Sequence, residues 1–283
     1  MTRTNWAPSL QKKLEGVKKT LREMESVLVA YSGGVDSTLL LLLSHEELGD
    51  RAVALLASSP TYPEAEIIQA KKIAEEMGVH WIEVFSKEMS LPDFTGNTPR
   101  RCYHCKKELF NLCREKADAL GLKQVVDGSN VDDCVDYRPG MEAAREIGIR
   151  SPLMEAGLTK ADVRELSRGM GLPTWDKPSM ACLSSRFPYG TEITSQRLEQ
   201  IRKGEEHLRE LGFRQLRLRY HGDLARVEVE ADEIERLLDK KLRSEVVRFL
   251  KEVGFTYVTL DLQGYRTGAM NERLKRGGIP RVG

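Results

Sequence analysis

Residues 27–43 read VLVAYSGGVDSTLLLLL. An apolar, β-branched run is cut by Ser32-Gly33-Gly34-Val35-Asp36-Ser37 and then resumes as a block of leucines. The flanks are apolar enough to be buried, so the break is a tight connection between two core elements. SVLVAYS (26–32) reads as a buried strand and STLLLLLSHEEL (37–48) as a helix. The same rhythm recurs downstream: RAVALLAS (51–58) is strand-like, PEAEIIQAKKIAEEMG (63–78) helical with proline first and glycine last, and HWIEVFS (80–86) strand-like again. A polar loop to about residue 101 precedes a helix in YHCKKELFNLCREKADALG, a fourth strand in KQVVDGSN and a helix at 157–171. A leucine-spaced, lysine-rich helix at 10–25 precedes them all. Alternation of this kind predicts a doubly wound, mostly parallel α/β sheet.

Near residue 190 the rhythm changes. SQRLEQIRKGEEHLREL (195–211) is helical, QLRLRY and ARVEVE are two close alternating strands, and a helix (231–253) and the strand TYVTLDL (256–262) follow. This αββαβ order predicts a smaller α+β domain behind a proline- and serine-rich linker, PTWDKPSMACLSSRFPYG (173–190). The expected domains are therefore 1–190, 191–272 and a basic tail, 273–283, carrying Arg273, Lys275, Arg276 and Arg281.

Charge is balanced, with 44 Lys and Arg against 43 Asp and Glu, which argues against a general nucleic-acid coat. The longest apolar run, Leu39 to Leu43, is too short to span a bilayer, and MTRTNWAPSLQKKLEG lacks the apolar core of a signal peptide. A cytoplasmic protein with no membrane association is expected. In that compartment the five cysteines (102, 105, 113, 134 and 182) point to metal or redox chemistry rather than disulfides.

The loop between a parallel strand and its helix lies at the ligand-binding edge of such a sheet. Gly33 and Gly34 let the backbone turn and present N–H groups to one anion, and the helix adds its positive end. Ser32 and Ser37 supply hydroxyls, and Asp36 can hold the Mg2+ that accompanies a polyphosphate. A P-loop of the GxxxxGKS/T type is absent. SGGVDS resembles the pyrophosphate loop of the PP-loop ATP pyrophosphatases, which transfer AMP from ATP to a substrate oxygen. That resemblance implies adenine-side contacts near Ser58 and Gly128.

Cys102 and Cys105 form Cys-x-x-Cys at the start of a helix, where residues three apart share a face and the helix dipole favours thiolates. Cys113 lies on the apolar stripe of Leu109, Leu112 and Leu120 and reads as core, and Cys134 has no evident partner. Cys182, in a polar loop between Lys177 and Arg186, reads as a nucleophile whose thiolate those cations could favour.

At AYSGGVDS, DGSNVDD, LTKADVRELSRGMGLP, WDKPSMACLSSRFPYG and LGFRQLRLRYHGDLARVEV the chain resembles the LarE family, ATP-dependent sulfur insertases of nickel-pincer nucleotide synthesis. The resemblance implies a pyridinium dicarboxylate mononucleotide as substrate, one carboxylate being adenylated and then converted to a thiocarboxylate. In some members the cysteine matching Cys182 gives up its own sulfur. Others carry the pair matching Cys102 and Cys105 and resemble enzymes in which three cysteines hold a 4Fe–4S cluster. Because this chain has the pair, the cluster version is expected, on Cys102, Cys105 and Cys182, with sulfide or another sulfur donor as partner. Zinc and the sacrificial cysteine stay open at this point. The resemblance also implies a homo-oligomer and Arg217 and Arg219 as ligands of the substrate phosphate; Arg186, after the paired serines, is a further candidate for that phosphate, and Glu205 or Glu206 is a candidate general base or metal-holding acid. A tRNA thiolase is the alternative, although neither an RNA-binding domain nor a basic face is evident.

Overall fold

The computed structural model describes residues 6–134, 139–178, 181–266 and 268–269. The chain divides into two compact units, Met1–Glu88 with Cys102–Met180, and Met89–Arg101 with Ala181–Gly283. The basic tail predicted at 273–283 lies outside the described residues.

The first unit begins with α1 (Pro8–Met24), β1 (Val27–Tyr31), α2 (Val35–Leu48), β2 (Ala52–Ser58), α3 (Glu64–Glu76) and β3 (Trp81–Phe85). The chain then passes through α4 (Pro92–Thr95), which belongs to the second unit. It continues as α5 (Arg101–Ala119), β4 (Gln124–Asp127), α6 (Pro139–Ile147), α7 (Pro152–Glu155) and α8 (Lys160–Gly169). The strands form an all-parallel sheet in the order β3-β2-β1-β4, with Val27 opposite Ala52 on one side and Gln124 on the other.

Successive residues of β1 feed opposite cores, as the two-residue period of a strand requires. Val27, Val29 and Tyr31 pack with Leu14 and Leu21 of α1, Leu39 and Leu43 of α2, and Val163 and Leu166 of α8. Leu28 packs with Val53 and Leu55 of β2 and with Leu109, Phe110 and Cys113 of α5. Helices thus cover both faces, which is why the strands carry near-continuous apolar runs. The doubly wound parallel α/β architecture expected from the sequence is present. The sequence reading gave no helix to residues 139–147 or 152–155, where α6 and α7 form.

In the second unit, α9 (Ser195–Glu210) is followed by β5 (Leu216–His221), β6 (Leu224–Val229), α10 (Lys240–Glu252) and β7 (Tyr257–Leu260). β5 and β6 form an antiparallel hairpin and β7 lies parallel to β6. α9 packs so closely that a side chain on Gly204 would come within 2.3 Å of Leu218 Cδ2 and 2.9 Å of Leu250 Cδ2. The helix predicted across 231–253 is divided. Ala231–Leu238 forms a 3-10 turn, and Asp239 restarts the chain as α10 by accepting a hydrogen bond from Leu242 N at 2.9 Å. Among the described residues no helix is long and apolar enough to cross a membrane.

Candidate active site

The turn from β1 into α2 is shaped by its glycines. Gly33 has φ of +68°, and a side chain there would lie 2.6 Å from Ala70 Cβ of α3. Both conformation and space therefore require glycine. Ser37 Oγ accepts from Ser32 N at 3.2 Å, lies 3.0 Å from Ser32 Oγ and donates to Gly34 O at 3.2 Å, which closes the loop upon itself. Gly34 occupies the N-cap of α2 without a side-chain cap. The helix thus begins with backbone N–H groups in a glycine turn flanked by hydroxyls, a donor array suited to phosphate oxygens.

The end of β4 fits against this turn. A side chain on Gly128 would lie 2.8 Å from Ser37 N and 3.0 Å from Asp36 C, so glycine is needed there for close backbone approach. Asp127 accepts from Ser129 Oγ at 2.8 Å and Ser151 Oγ at 2.6 Å. Asn130 donates to Asp36 Oδ1 at 3.0 Å, and its own carbonyl accepts from Asp132 N at 3.0 Å. Asp36 Oδ2 receives Lys160 Nζ. Lys160 opens α8, a helix fixed by a capping box of Thr159 and Asp162, and its backbone N–H donates to Asp132 Oδ2 at 2.7 Å. Asp36, expected from the sequence to hold Mg2+, is thus already countered by an ammonium. Ser58 ends β2 and donates to Val84 O at 3.4 Å. Lys177, expected to lend its charge to Cys182, is ion-paired with Glu66 of α3 at 2.6 Å.

In the second unit, Cys182 is partly exposed and caps a 3-10 turn over Leu183–Arg186. Arg186 is fully buried. Its Nη1 donates to the carbonyls of Ala181 at 2.7 Å and Cys182 at 3.0 Å, and its Nε and Nη2 grip Glu205 at 2.7 and 2.9 Å. Glu205, also fully buried, accepts further from Arg209 at 2.8 Å and from Leu218 N at 3.1 Å. Burial alone would raise its pKa, but the charges and hydrogen bonds of Arg186, with Arg209 behind it, hold it down to about 2. Glu206 instead faces outward to Arg202 at 2.7 Å.

On the adjoining strands Arg219 forms a fork with Glu228 at 3.0 and 2.8 Å and donates to Ser185 O at 2.9 Å. Arg226 joins Glu228 at 3.0 Å and Asp261 at 3.5 Å. Arg217 donates to Leu216 O at 2.7 Å and stacks 4.9 Å from the Tyr265 ring. Burial, followed by the neighbouring Arg186 charge, lowers its pKa to about 10. Among the described residues, Arg186, Arg209, Arg217, Arg219 and Arg226 cluster about Glu205, Glu228 and Asp261 in the unit that carries Cys182.

None of the five cysteines is in a disulfide. Cys102 is exposed and Cys105 half-buried at the start of α5. Cys113 is buried in the core, as its stripe predicts, and burial pushes its thiol up to about 12. Exposed Cys134 lies 3.4 Å from Met154 Sδ. Among the described residues no group of three His, Cys, Asp or Glu side chains is arranged to hold a metal ion. Cys102 and Cys105 stand in the first unit and Cys182 in the second. Cysteine thiolates are the usual ligands of iron–sulfur clusters, and Cys102 and Cys105 put two of them three residues apart at the start of α5.

A family model for NAD synthase matches residues 9–94, from α1 to α4 and including the glycine turn. An uncharacterized protein of Synechocystis sp. is 44% identical over 94% of this chain and 100% of its own length. The pyridinium-3,5-bisthiocarboxylic acid mononucleotide synthase of Lactiplantibacillus plantarum is 39% identical over 90% of this chain and 92% of its own. The chain belongs to the LarE family of such synthases. A more distant similarity, 28% over 55% of the chain and 53% of the relative, is to a tRNA-specific 2-thiouridylase of Rickettsia peacockii.

For this LarE family member, the sequence reading left Lys160, Asn130 and Glu228 without roles. Lys160 stood beside a visible signal, the Thr159–Asp162 capping box that starts α8 at the glycine turn. Asn130 lay in the polar cluster DGSNVDD. Glu228 could be placed on a strand face, but its position across from Arg217 and diagonal to Arg219 needed the hairpin register.

Proposed function

We propose that the chain is an ATP-dependent sulfurtransferase acting on a pyridinium dicarboxylate mononucleotide. A substrate carboxylate oxygen attacks the α-phosphorus of ATP, pyrophosphate leaves, and an acyl adenylate forms. A sulfur nucleophile then adds to the carbonyl carbon and AMP departs with the original oxygen, leaving a thiocarboxylate. The observation that carries this reading is the uncapped glycine turn at α2, with Ser32, Ser37 and Asp36 around it, in a chain matched over 90% of its length by the L. plantarum synthase.

In this reading Ser32, Gly33, Gly34 and Ser37 bind the departing pyrophosphate, and Ser58 and Gly128 stand on the adenine side. Asp36 holds Mg2+, and Lys160 supplies a second cation for the phosphates once the metal takes its place on Asp36. These roles fall to the first unit, and substrate binding to the second, which carries Cys182. There the cluster of guanidinium groups suits a substrate phosphate, with Arg217 and Arg219 nearest to that task. Arg186 holds the Cys182 backbone, and Glu205 fixes Arg186 in turn. Its lowered pKa suits an anchoring anion better than a base that must exchange protons near neutral pH. A 4Fe–4S cluster held by Cys102, Cys105 and Cys182 would supply the sulfide.

The test is exchange of labelled pyrophosphate into ATP. Exchange that requires the pyridinium dicarboxylate mononucleotide and is lost in Asp36→Ala supports the proposal. Exchange without any carboxylate, or none with it, overturns the adenylation step.

A further inference from the structure

The glycine turn has a second support that comes from the chain's other end of the linker. Lys177 Nζ donates to the carbonyl oxygen of Gly33 at 3.1 Å and to Gln69 Oε1 at 2.9 Å, and pairs with Glu66 at 2.6 Å. Arg164 of α8 holds the backbone around it, donating to Trp175 O at 2.7 Å and to Lys177 O at 2.8 Å. The ammonium is nearly sealed, its side chain retaining 12% of its exposure. Its three donors thus have three acceptors, two on α3 and one on the turn.

The Gly33 carbonyl belongs to the same planar peptide as the Gly34 N–H, and in a trans peptide these two groups point in opposite directions. A Gly–Gly peptide has no side chain to set its orientation, so it can flip at little steric cost. Whatever grips the oxygen therefore decides where the N–H points. Gly34 is the N-cap of α2, and its N–H belongs to the set of donors offered at the phosphate turn.

We propose that Lys177 is a positioning residue that locks the Gly33–Gly34 peptide with its N–H toward the pyrophosphate. This deepens the adenylation reading and rests on it. Because Arg164 holds the backbone at Trp175 and Lys177, the same lysine makes phosphate binding depend on the seating of residues 173–178. A chain with residues 173–178 unseated would hold pyrophosphate loosely.

The test compares inorganic pyrophosphate and AMP binding, by calorimetry in the presence of Mg2+, in the full-length protein and in Lys177→Met, Gln69→Ala and Glu66→Gln. A hydrogen bond to a charged group contributes about 1.5–3 kcal/mol, or roughly 10- to 150-fold in affinity. Lys177→Met should weaken pyrophosphate by that factor and leave AMP within about twofold. Gln69→Ala, on the exposed side of α3, loosens the same tether without touching the turn, and should weaken pyrophosphate alone by a smaller factor. The sign in Glu66→Gln separates the two possible roles of the lysine. If Lys177 only orients the peptide, loss of its anchor weakens pyrophosphate. If Lys177 is itself a phosphate ligand, release of its charge from Glu66 tightens it, and the proposal falls. Unchanged pyrophosphate binding in Lys177→Met and Gln69→Ala, or equal losses for pyrophosphate and AMP, also overturns it. Failure of the unaltered protein to bind pyrophosphate would instead overturn the adenylation reading.

Discussion

Replacing Glu205 by glutamine keeps the shape of a fully buried side chain and removes one charge. In the folded protein the carboxylate has a pKa near 2, against an ordinary 4.5. At about 1.4 kcal/mol per pKa unit this difference amounts to about 3 kcal/mol of stability at neutral pH. Breaking a buried ion pair from one side costs about 3–5 kcal/mol, which agrees. The sign follows from the lowered pKa: the contribution is complete above the ordinary carboxylate value and is lost as pH falls through the folded value. All three tryptophans (Trp6, Trp81 and Trp175) lie in the first unit, so their fluorescence does not report on this change. Hydrogen exchange of peptides from α9 and β5 does, because Leu218 N–H donates directly to Glu205. Glu205→Gln should speed exchange of these amides about a hundredfold at pH 7 and leave β1 and β2 unchanged. Acceleration below about tenfold would mean that the carboxylate is not held as an anion by its arginines, and the account of Cys182 positioning would lose its foundation.

The remaining expectations concern the turn and the cysteines. Gly128→Ala places a methyl group against the backbone of Ser37 and should cost about 1–3 kcal/mol, read as a lowered urea midpoint of the tryptophan signal. An unchanged midpoint would deny the close approach of β4 to α2. Lys160→Met should lower the magnesium concentration at half-maximal pyrophosphate release, because ammonium and metal compete for Asp36. A constant midpoint would separate Asp36 from the metal. After anaerobic reconstitution, Cys102→Ser, Cys105→Ser and Cys182→Ser should each bind less iron and acid-labile sulfide than the unaltered protein, while Cys113→Ala and Cys134→Ala match it. Equal iron in all five variants would remove the cluster from the proposal.

The sheet was legible because both of its faces are covered. Such strands stay apolar along their length, and VLVAY or AVALLA has few alternatives in a chain of this composition. The glycine turn was legible for a related reason, since polar residues between two buried elements must sit at an edge. α6 was missed although it is amphipathic, because PGMEAAREI is short and buries only Pro139, Ala143 and Ala144, none of them a large apolar side chain. The break at Asp239 was missed because both sides of it have helical spacing, and a single capping aspartate decides the matter. On β5 the alternation of Arg217 and Arg219 with leucines marked a face but not its cover. Both arginines are buried, and the register that sets Glu228 across from Arg217 and diagonal to Arg219 is a tertiary fact. Likewise the adjacent pair Glu205 and Glu206 could be resolved only by the rotation of α9, which turns the first to Arg186 and the second to Arg202.

Replacement of oxygen by sulfur can be followed through the oxygen that leaves. The pyridinium dicarboxylate mononucleotide, with heavy oxygen in its carboxylates, is incubated with ATP, sulfide and anaerobically reconstituted protein, and AMP and product are weighed by mass spectrometry. One heavy oxygen in AMP for each sulfur gained by the product is the predicted result. Thiocarboxylate formed beside unlabelled AMP, or labelled AMP without any sulfur in the product, would contradict it.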